Sequence, residues 1–214
     1  MKLNKIYLLI ASILIATSCV DLDQEPLSFI TEEDYIKQEQ TIETVAKTLD
    51  GLYYDMWYKN YGFNTRVMRL NVAADDINTS PKPNNVLLEL SDLKPSIGTM
   101  NTDARELWGN LWKVIISSNK IINGTPIPEK NGELYKQAVA EAYFMRALNY
   151  FYLVRIFGDV PIVRTTEEGI QEQDRQPVAD VYAEIIIPDL QKAITNLPST
   201  SRTGTSETPC KWAA

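Results

Sequence analysis

Aromatic side chains, carboxylates and amides cluster between residues 53 and 78 in a pattern that suits sugar binding. A flat ring can cover the C–H face of a pyranose, while carboxylates and amides bond its hydroxyl groups. The candidate ligand-binding residues in this stretch are Tyr58, Tyr61, Asp75, Asp76 and Asn78. A structural interpretation competes with this one, in which the tyrosines fill the surface at a helix end and the two aspartates cap a helix or loop. The residue pattern leaves both interpretations open.

The composition argues against several kinds of catalytic site. The chain has no histidine, and so lacks the commonest general base and the commonest ligand for zinc, copper and iron. A Ser-His-Asp or Cys-His mechanism is impossible within it. Nothing in the sequence pairs an acid with a hydrophobic pocket in the way that a glycosidase requires. We therefore predict a binding protein with no catalytic residues, no metal site and no cofactor.

Tryptophan and arginine side chains elsewhere favour structural roles. Trp108 and Trp112 are spaced i, i+4 and could form a stacking pair, but such pairs also join helices, and we assign them and Trp57 to core packing. We expect Arg146 and Arg155 to pair with carboxylates such as that of Asp159, or to cap helix ends, rather than to bind a ligand.

The first 18 residues have the pattern of a lipoprotein signal peptide. Lys2 and Lys5 precede an apolar core from Ile6 to Ala16, and Thr17 and Ser18 then lead to Cys19. This core is too short to span a bilayer. Cleavage before Cys19 would expose that residue for lipidation, and several acyl chains would anchor the protein durably. The alternative is an ordinary secreted protein with a chance cysteine, since Ala16 replaces the leucine most common at its position.

Charge and the remaining cysteine narrow the choice of partners. The net charge is −7, and loss of Lys2 and Lys5 with the signal peptide would leave −9. Such a surface repels nucleic acid and anionic headgroups, so we predict no nucleic-acid partner and membrane attachment through the lipid alone. Residues 19–30 are predicted to form an acidic, flexible tether. With Cys19 lipidated, Cys210 has no disulfide partner.

Hydrophobic periodicity predicts an all-α domain over residues 31–214. Helices are expected at about 32–58, from a cap at Asn101 or Thr102 to Gly124, from Asn131 to Phe157, and from Pro177 to Leu197, with a long loop over 75–102. Pro188 should kink or split the last of these helices. Only residues 160–164 alternate as a strand would.

The helix that ends at Phe157 carries the most informative pattern. Its apolar stripe comprises Ala140, Phe144, Ala147, Phe151 and Val154, at alternating steps of four and three. Gly158 can take the positive φ of a helix C-terminus, and Pro161 prevents continuation. Extra aromatic residues widen the apolar face, which predicts that this helix is central.

The segment AEAYFMRALNYFYLVRIFGDVPIV, residues 140–163, closely resembles the signature of the SusD/RagB family of outer-membrane nutrient-binding lipoproteins. Residues 107–119 and 177–190 resemble further family segments in the expected order. The resemblance implies a scaffold of tetratricopeptide-like paired antiparallel helices. It also implies an oligomeric nutrient as ligand, most often a glycan, delivered to a SusC-like TonB-dependent transporter at the cell surface. Because glycan contacts vary within the family, it implies no particular ligand residues.

The last seven residues, Thr208 to Ala214, resemble the start of a further family helix. We therefore expect the chain to be an N-terminal part of a SusD-like protein, with a helical domain that is incomplete at its C-terminus. Three alternatives remain open: a RagB-like peptide-binding lipoprotein, a surface glycoside hydrolase, and a truncated remnant without function.

Overall fold

The computed structural model describes residues 41–59, 97–125, 127–129, 132–165, 172–202 and 208–214, with side chains in the second range described from residue 104 onward. All of these residues belong to the unit Ile36–Ala214. The predicted signal peptide, Cys19 and the tether lie outside the described residues.

Helix α1 spans Ile42–Tyr53, and its apolar stripe Val45, Leu49 and Leu52 is buried. The Thr41 hydroxyl caps it, accepting a hydrogen bond from the Thr44 N–H at 3.3 Å. Thr41 itself has extended backbone, with φ −74° and ψ 154°. The prediction of one helix running from residue 32 is therefore wrong, because the chain is not helical at this cap.

Helix α2 spans Ile97–Gly124 and ends where the sequence predicts. Its start is earlier than predicted: Asn101 and Thr102 lie within the helix, so neither is its cap. The face that carries its apolar residues is turned to the core, and the buried residues of this face are Leu107, Leu111, Val114, Ile115, Ser118 and Ile121.

Helix α3 spans Gly132–Phe157 and packs against α1, α2 and the helical segments that follow it. Its burial is not confined to one stripe: Ala142, Met145, Tyr150 and Leu153 are buried, whereas Phe144 and Phe151 of the predicted stripe are only half-buried. A helix surrounded by others buries several faces, so the predicted central position is confirmed. Gly158 ends the helix with φ +75°.

The chain after α3 forms helix α4, Val178–Val181, a π-helical segment, Tyr182–Ile186, and helix α5, Ile187–Asn196. Pro188 lies in the first turn of α5. Since proline has no N–H, the regular α-helical hydrogen bonds cannot continue through it. A π-helical segment directly before it agrees with the predicted interruption.

The described residues contain one isolated antiparallel bridge, between Val160 and Gln176, and no named strand. The all-α class is confirmed. The tetratricopeptide-like pairing remains a prediction.

A buried polar network joins α2, α3 and α5. Arg146 donates to both carboxylate oxygens of Asp189, at 2.6 and 2.8 Å, and to Asn119 Oδ1 at 2.6 Å. All three residues are buried. The predicted pairing of Arg146 with a carboxylate is confirmed, but its partner is Asp189 and not the example Asp159. The Asp159 carboxylate accepts from the Val178 N–H at 3.1 Å, at the start of α4. Asp189 lies nearer because α5 packs directly on α3.

Candidate functional site

The C-terminal end of α1 changes from α- to π-helical geometry over Tyr54–Tyr58, here called the first π segment. The Lys59 N–H donates to the Tyr54 carbonyl, five residues back. Met56 stays buried at the end of the α1 stripe. π-helical turns of this kind are rare and occur frequently at functional sites.

Two tyrosines project from the first π segment into solvent. Tyr54 is 60% exposed and Tyr58 74%. Their rings are nearly parallel, with an interplanar angle of 19° and centroids 6.5 Å apart. Exposed aromatic rings held in this way offer apolar faces together with phenolic hydroxyls. We call Tyr54 and Tyr58 the tyrosine pair.

Charged side chains lie beside the tyrosine pair. Lys113 of α2 donates to Asp55 Oδ1 at 2.8 Å, and the Lys59 ammonium lies 3.5 Å from the same oxygen. Asn110 of α2 donates to the Lys59 carbonyl at 3.4 Å. Partial burial lowers the pKa of Lys113, but the hydrogen bond and charge of Asp55 outweigh this effect, so the pKa is raised and the ammonium form is favoured.

A cavity of about 400 Å³ lies between α1, α3 and the C-terminal residues. Its lining is mainly apolar and includes Tyr53, Trp57, Phe144, Leu148 and Pro209. Trp57 also packs against the core and is half-buried. It therefore serves core packing, as predicted, while one side of it faces this cavity.

A second polar network stands beside the cavity. The Tyr53 hydroxyl donates to Glu141 Oε1 at 2.7 Å, and Arg202 donates to Glu141 Oε2 at 3.1 Å and to Asp50 Oδ1 at 2.7 Å. Burial, reinforced by the Glu141 charge, raises the pKa of Tyr53 well above its ordinary value. Because both Tyr53 and Arg202 satisfy the buried Glu141 carboxylate, this network holds α1, α3 and residue 202 together.

Comparison with known proteins identifies the family. The family model SusD-like_3, described as "starch-binding associating with outer membrane", matches residues 22–214. The chain belongs to the SusD-like family. Its match covers nearly the whole sequence, which agrees with the family resemblance of the helix α3 segment.

Individual relatives of this SusD-like chain are distant and longer. SusD-like protein P2 of Formosa agariphila is 27% identical over 208 residues, covering 94% of this chain and 39% of the relative. A SusD superfamily protein from Parabacteroides distasonis has a crystal structure with a TM-score of 0.64 and 27% identity, covering 82% of this chain and 38% of that one.

A second protein of known structure was crystallised with xylogluco-oligosaccharide and shares the fold. It has a TM-score of 0.59 and 22% identity, and the match covers 75% of this chain and 31% of that one. The SusD-like chain thus spans about two fifths of the length of its curated relative P2.

Of the five predicted ligand residues of the SusD-like chain, the structure describes one. Tyr58 is exposed and belongs to the tyrosine pair. Tyr61, Asp75, Asp76 and Asn78 lie outside the described residues.

The sequence analysis did not identify Tyr54, Lys59 or Lys113, which lie around Tyr58 in the structure. The i, i+4 spacing of Tyr54 and Tyr58 was a usable signal. Lys113 bonds Asp55, which lies 58 residues away in the sequence. This contact could not be predicted from the sequence, because it depends on how the helices pack.

The tryptophans of α2 have the predicted structural role. Trp108 packs against Phe157 edge to face, with centroids 5.0 Å apart, and Trp112 packs against Tyr150 at 5.8 Å. Both are partly buried against the core.

The described residues contain no group of three or more His, Cys, Asp or Glu side chains that could hold a metal ion. None of the helices in the described ranges is long and apolar enough to cross a bilayer.

Proposed function

We propose that this protein is an outer-membrane lipoprotein that binds an oligomeric nutrient, with a glycan as the favoured ligand class, and passes it to a SusC-like TonB-dependent transporter. The observation that carries the proposal is the family match over residues 22–214, since that family is described as starch-binding and associated with the outer membrane. The relative crystallised with xylogluco-oligosaccharide, which shares the fold, supports the same ligand class.

The exposed tyrosine pair supports glycan binding by this chain in particular. Sugar C–H faces pack on aromatic rings, and the phenolic hydroxyls and neighbouring lysines can bond sugar hydroxyls. The rings need no large rearrangement to meet a ligand, because Tyr54 and Tyr58 already face solvent. Binding and handover, rather than bond cleavage, are the proposed activity.

Ligand class is tested by isothermal titration calorimetry of the purified protein against neutral oligosaccharides, acidic oligosaccharides and peptides of matched length. Saturable glycan binding without release of reducing ends is expected. Binding of peptides alone would favour a RagB-like role, and release of reducing ends would favour a glycoside hydrolase.

Delivery is tested separately, by co-purifying the tagged protein with outer-membrane proteins from its own cells. Recovery of a TonB-dependent transporter at near-equal amounts is expected. Its absence from mild-detergent extracts would contradict the proposed partner.

Membrane attachment through Cys19 is proposed from the signal-peptide pattern. Replacing Cys19 by Ala removes the only thiol at the predicted cleavage site, so acyl labelling should be lost and the protein should leave the membrane fraction. The matched control is Cys210→Ala, which should change neither property. Unchanged membrane retention of the Cys19→Ala protein would refute the anchor.

A further inference from the structure

Two ammonium groups share one carboxylate next to the tyrosine pair. Lys113 Nζ lies 2.8 Å and Lys59 Nζ 3.5 Å from Asp55 Oδ1. The lysine side chains are 48% and 38% exposed, whereas the Asp55 side chain is 14% exposed. The cluster therefore carries one excess positive charge, and its cations face solvent more than its anion does.

The excess of cations over anions distinguishes this cluster from other charge clusters in the described part of the chain. Lys47–Glu43 and Lys136–Glu133 are one-to-one pairs. Arg202 has two carboxylate partners, Asp50 and Glu141, and that cluster carries excess negative charge. In a chain of net charge −7, a local cationic excess is a place where an anionic group is attracted rather than repelled.

The cationic excess and the aromatic faces lie side by side. Asp55 follows Tyr54 in the first π segment, and Lys59 follows Tyr58 directly. Lys113 is held at the same segment by Asp55, whose Oδ1 lies 2.8 Å from Lys113 Nζ. A ligand unit lying on the rings could therefore reach an ammonium group with an acidic substituent. Lys113 donates one hydrogen bond to Asp55 Oδ1 and Lys59 lies 3.5 Å from the same oxygen, so both lysines retain donor capacity, because each ammonium has three donors.

We infer that Tyr54, Tyr58, Lys59 and Lys113 form a subsite for a negatively charged sugar unit, a pyranose bearing a carboxylate or a sulfate. The rings take the apolar face of the sugar, and the ammonium groups take its anionic substituent through charge-assisted hydrogen bonds. This inference rests on the proposed glycan-binding function and gives it a substrate class, acidic rather than neutral polysaccharide.

The test is calorimetric titration of the full-length protein with four probes. These are oligogalacturonate, the same oligomer as its methyl ester, a sulfated galactan oligosaccharide, and its desulfated form. At least one acidic probe should bind about tenfold or more tightly than its neutral counterpart, as expected for hydrogen bonds to a charged group. The preferred acidic probe identifies the anion as carboxylate or sulfate. Its affinity should fall as salt is raised.

Variants locate the binding. The double substitution Lys59→Gln/Lys113→Gln should remove both the preference for the acidic probe and its salt dependence. Tyr54→Ala/Tyr58→Ala should weaken binding about tenfold or more, and Tyr54→Phe/Tyr58→Phe should retain most of it, because the rings remain. The matched control Lys47→Gln/Lys136→Gln removes two lysines from exposed pairs elsewhere and should leave binding unchanged. Circular dichroism and thermal melts confirm that each variant is folded.

The outcomes separate this inference from the proposed function. Saturable binding of neutral probes without preference for acidic ones overturns the inference and leaves glycan binding intact. Acidic binding that survives both double substitutions places the subsite elsewhere and also overturns it. Loss of transporter co-purification in the tyrosine variants, with glycan affinity unchanged, would show the pair to be a protein contact instead. No glycan binding at all would refute both proposals.

Discussion

Two ion pairs in the described part of the chain lie in opposite environments. Arg146 and Asp189 are buried between α3 and α5, with side chains 6% and 2% exposed. Asp55 and Lys113 lie at the surface where the first π segment meets α2. Removing charges from water is costly, so the buried pair must satisfy its donors and acceptors within the protein. The surface pair is under no such constraint, which leaves its charges available to a ligand.

The largest effect on the free energy of unfolding is expected when Asp189 of the buried pair is replaced. Asp189→Ala leaves the Arg146 guanidinium buried without its carboxylate, and should lower the free energy of unfolding by about 3–5 kcal/mol. Urea unfolding followed by circular dichroism measures this loss. The control is Arg146→Leu/Asp189→Leu, which removes both charges and should cost much less. Equal losses in the two proteins would mean that packing, not the unpaired charge, is responsible.

A second, smaller effect concerns the buried Tyr150, which bonds the Val163 backbone. Burial raises the pKa of Tyr150 to about 12 from an ordinary value of 10.0. Below pH 10 the tyrosine is protonated in both folded and unfolded chains, so its contribution to stability is complete. Between pH 10 and about 12 only the unfolded chain loses the proton, and the contribution is lost.

Tyr150→Phe should therefore reduce the fall in unfolding free energy between pH 10 and 12 by about 2 kcal/mol. Some fall will remain, because the pKa of Tyr53 is raised as well. Urea titrations at a series of pH values give the comparison, with Tyr58→Phe as the surface control. An identical fall in wild type and Tyr150→Phe would contradict the argument.

The smallest effect on stability is expected at the surface pair. Lys113→Gln removes one exposed cation while Lys59 still faces Asp55, so the free energy of unfolding should change by less than about 1 kcal/mol. The same thermal and urea measurements apply. A loss as large as that of Asp189→Ala would show that the surface cluster is a structural element rather than a ligand contact.

The fold was largely predictable from the sequence because its signals are local. The apolar stripe of α2, Gly124 at its end and Gly158 after α3 each act within a few residues. The helix starts were less predictable: Thr41 is a good cap residue, yet the predicted helix ran through it from residue 32. Asn101 is an equally good cap residue that lies inside a helix.

The candidate site was only partly predictable. An exposed Tyr58 near a helix end follows from the pattern, but its alignment with Tyr54 depends on a π-helical turn that no composition rule specifies. Ion-pair partners that are distant in sequence could not be predicted, for a different reason. Arg146 could have met any acid along the chain, and the fold alone decides that Asp189 reaches it.

Arg202 has a consequence for the order of folding. It joins Asp50 across 152 residues and Glu141 across 61, whereas α2 and α3 are joined by a short connection. Bringing distant parts of a chain together costs more entropy than pairing neighbours, so α2 and α3 should associate first and the Arg202 contacts should form late. A contact absent from the transition state acts on the rate of unfolding. The Arg202 contacts should therefore slow the unfolding of the domain and have little effect on its folding rate.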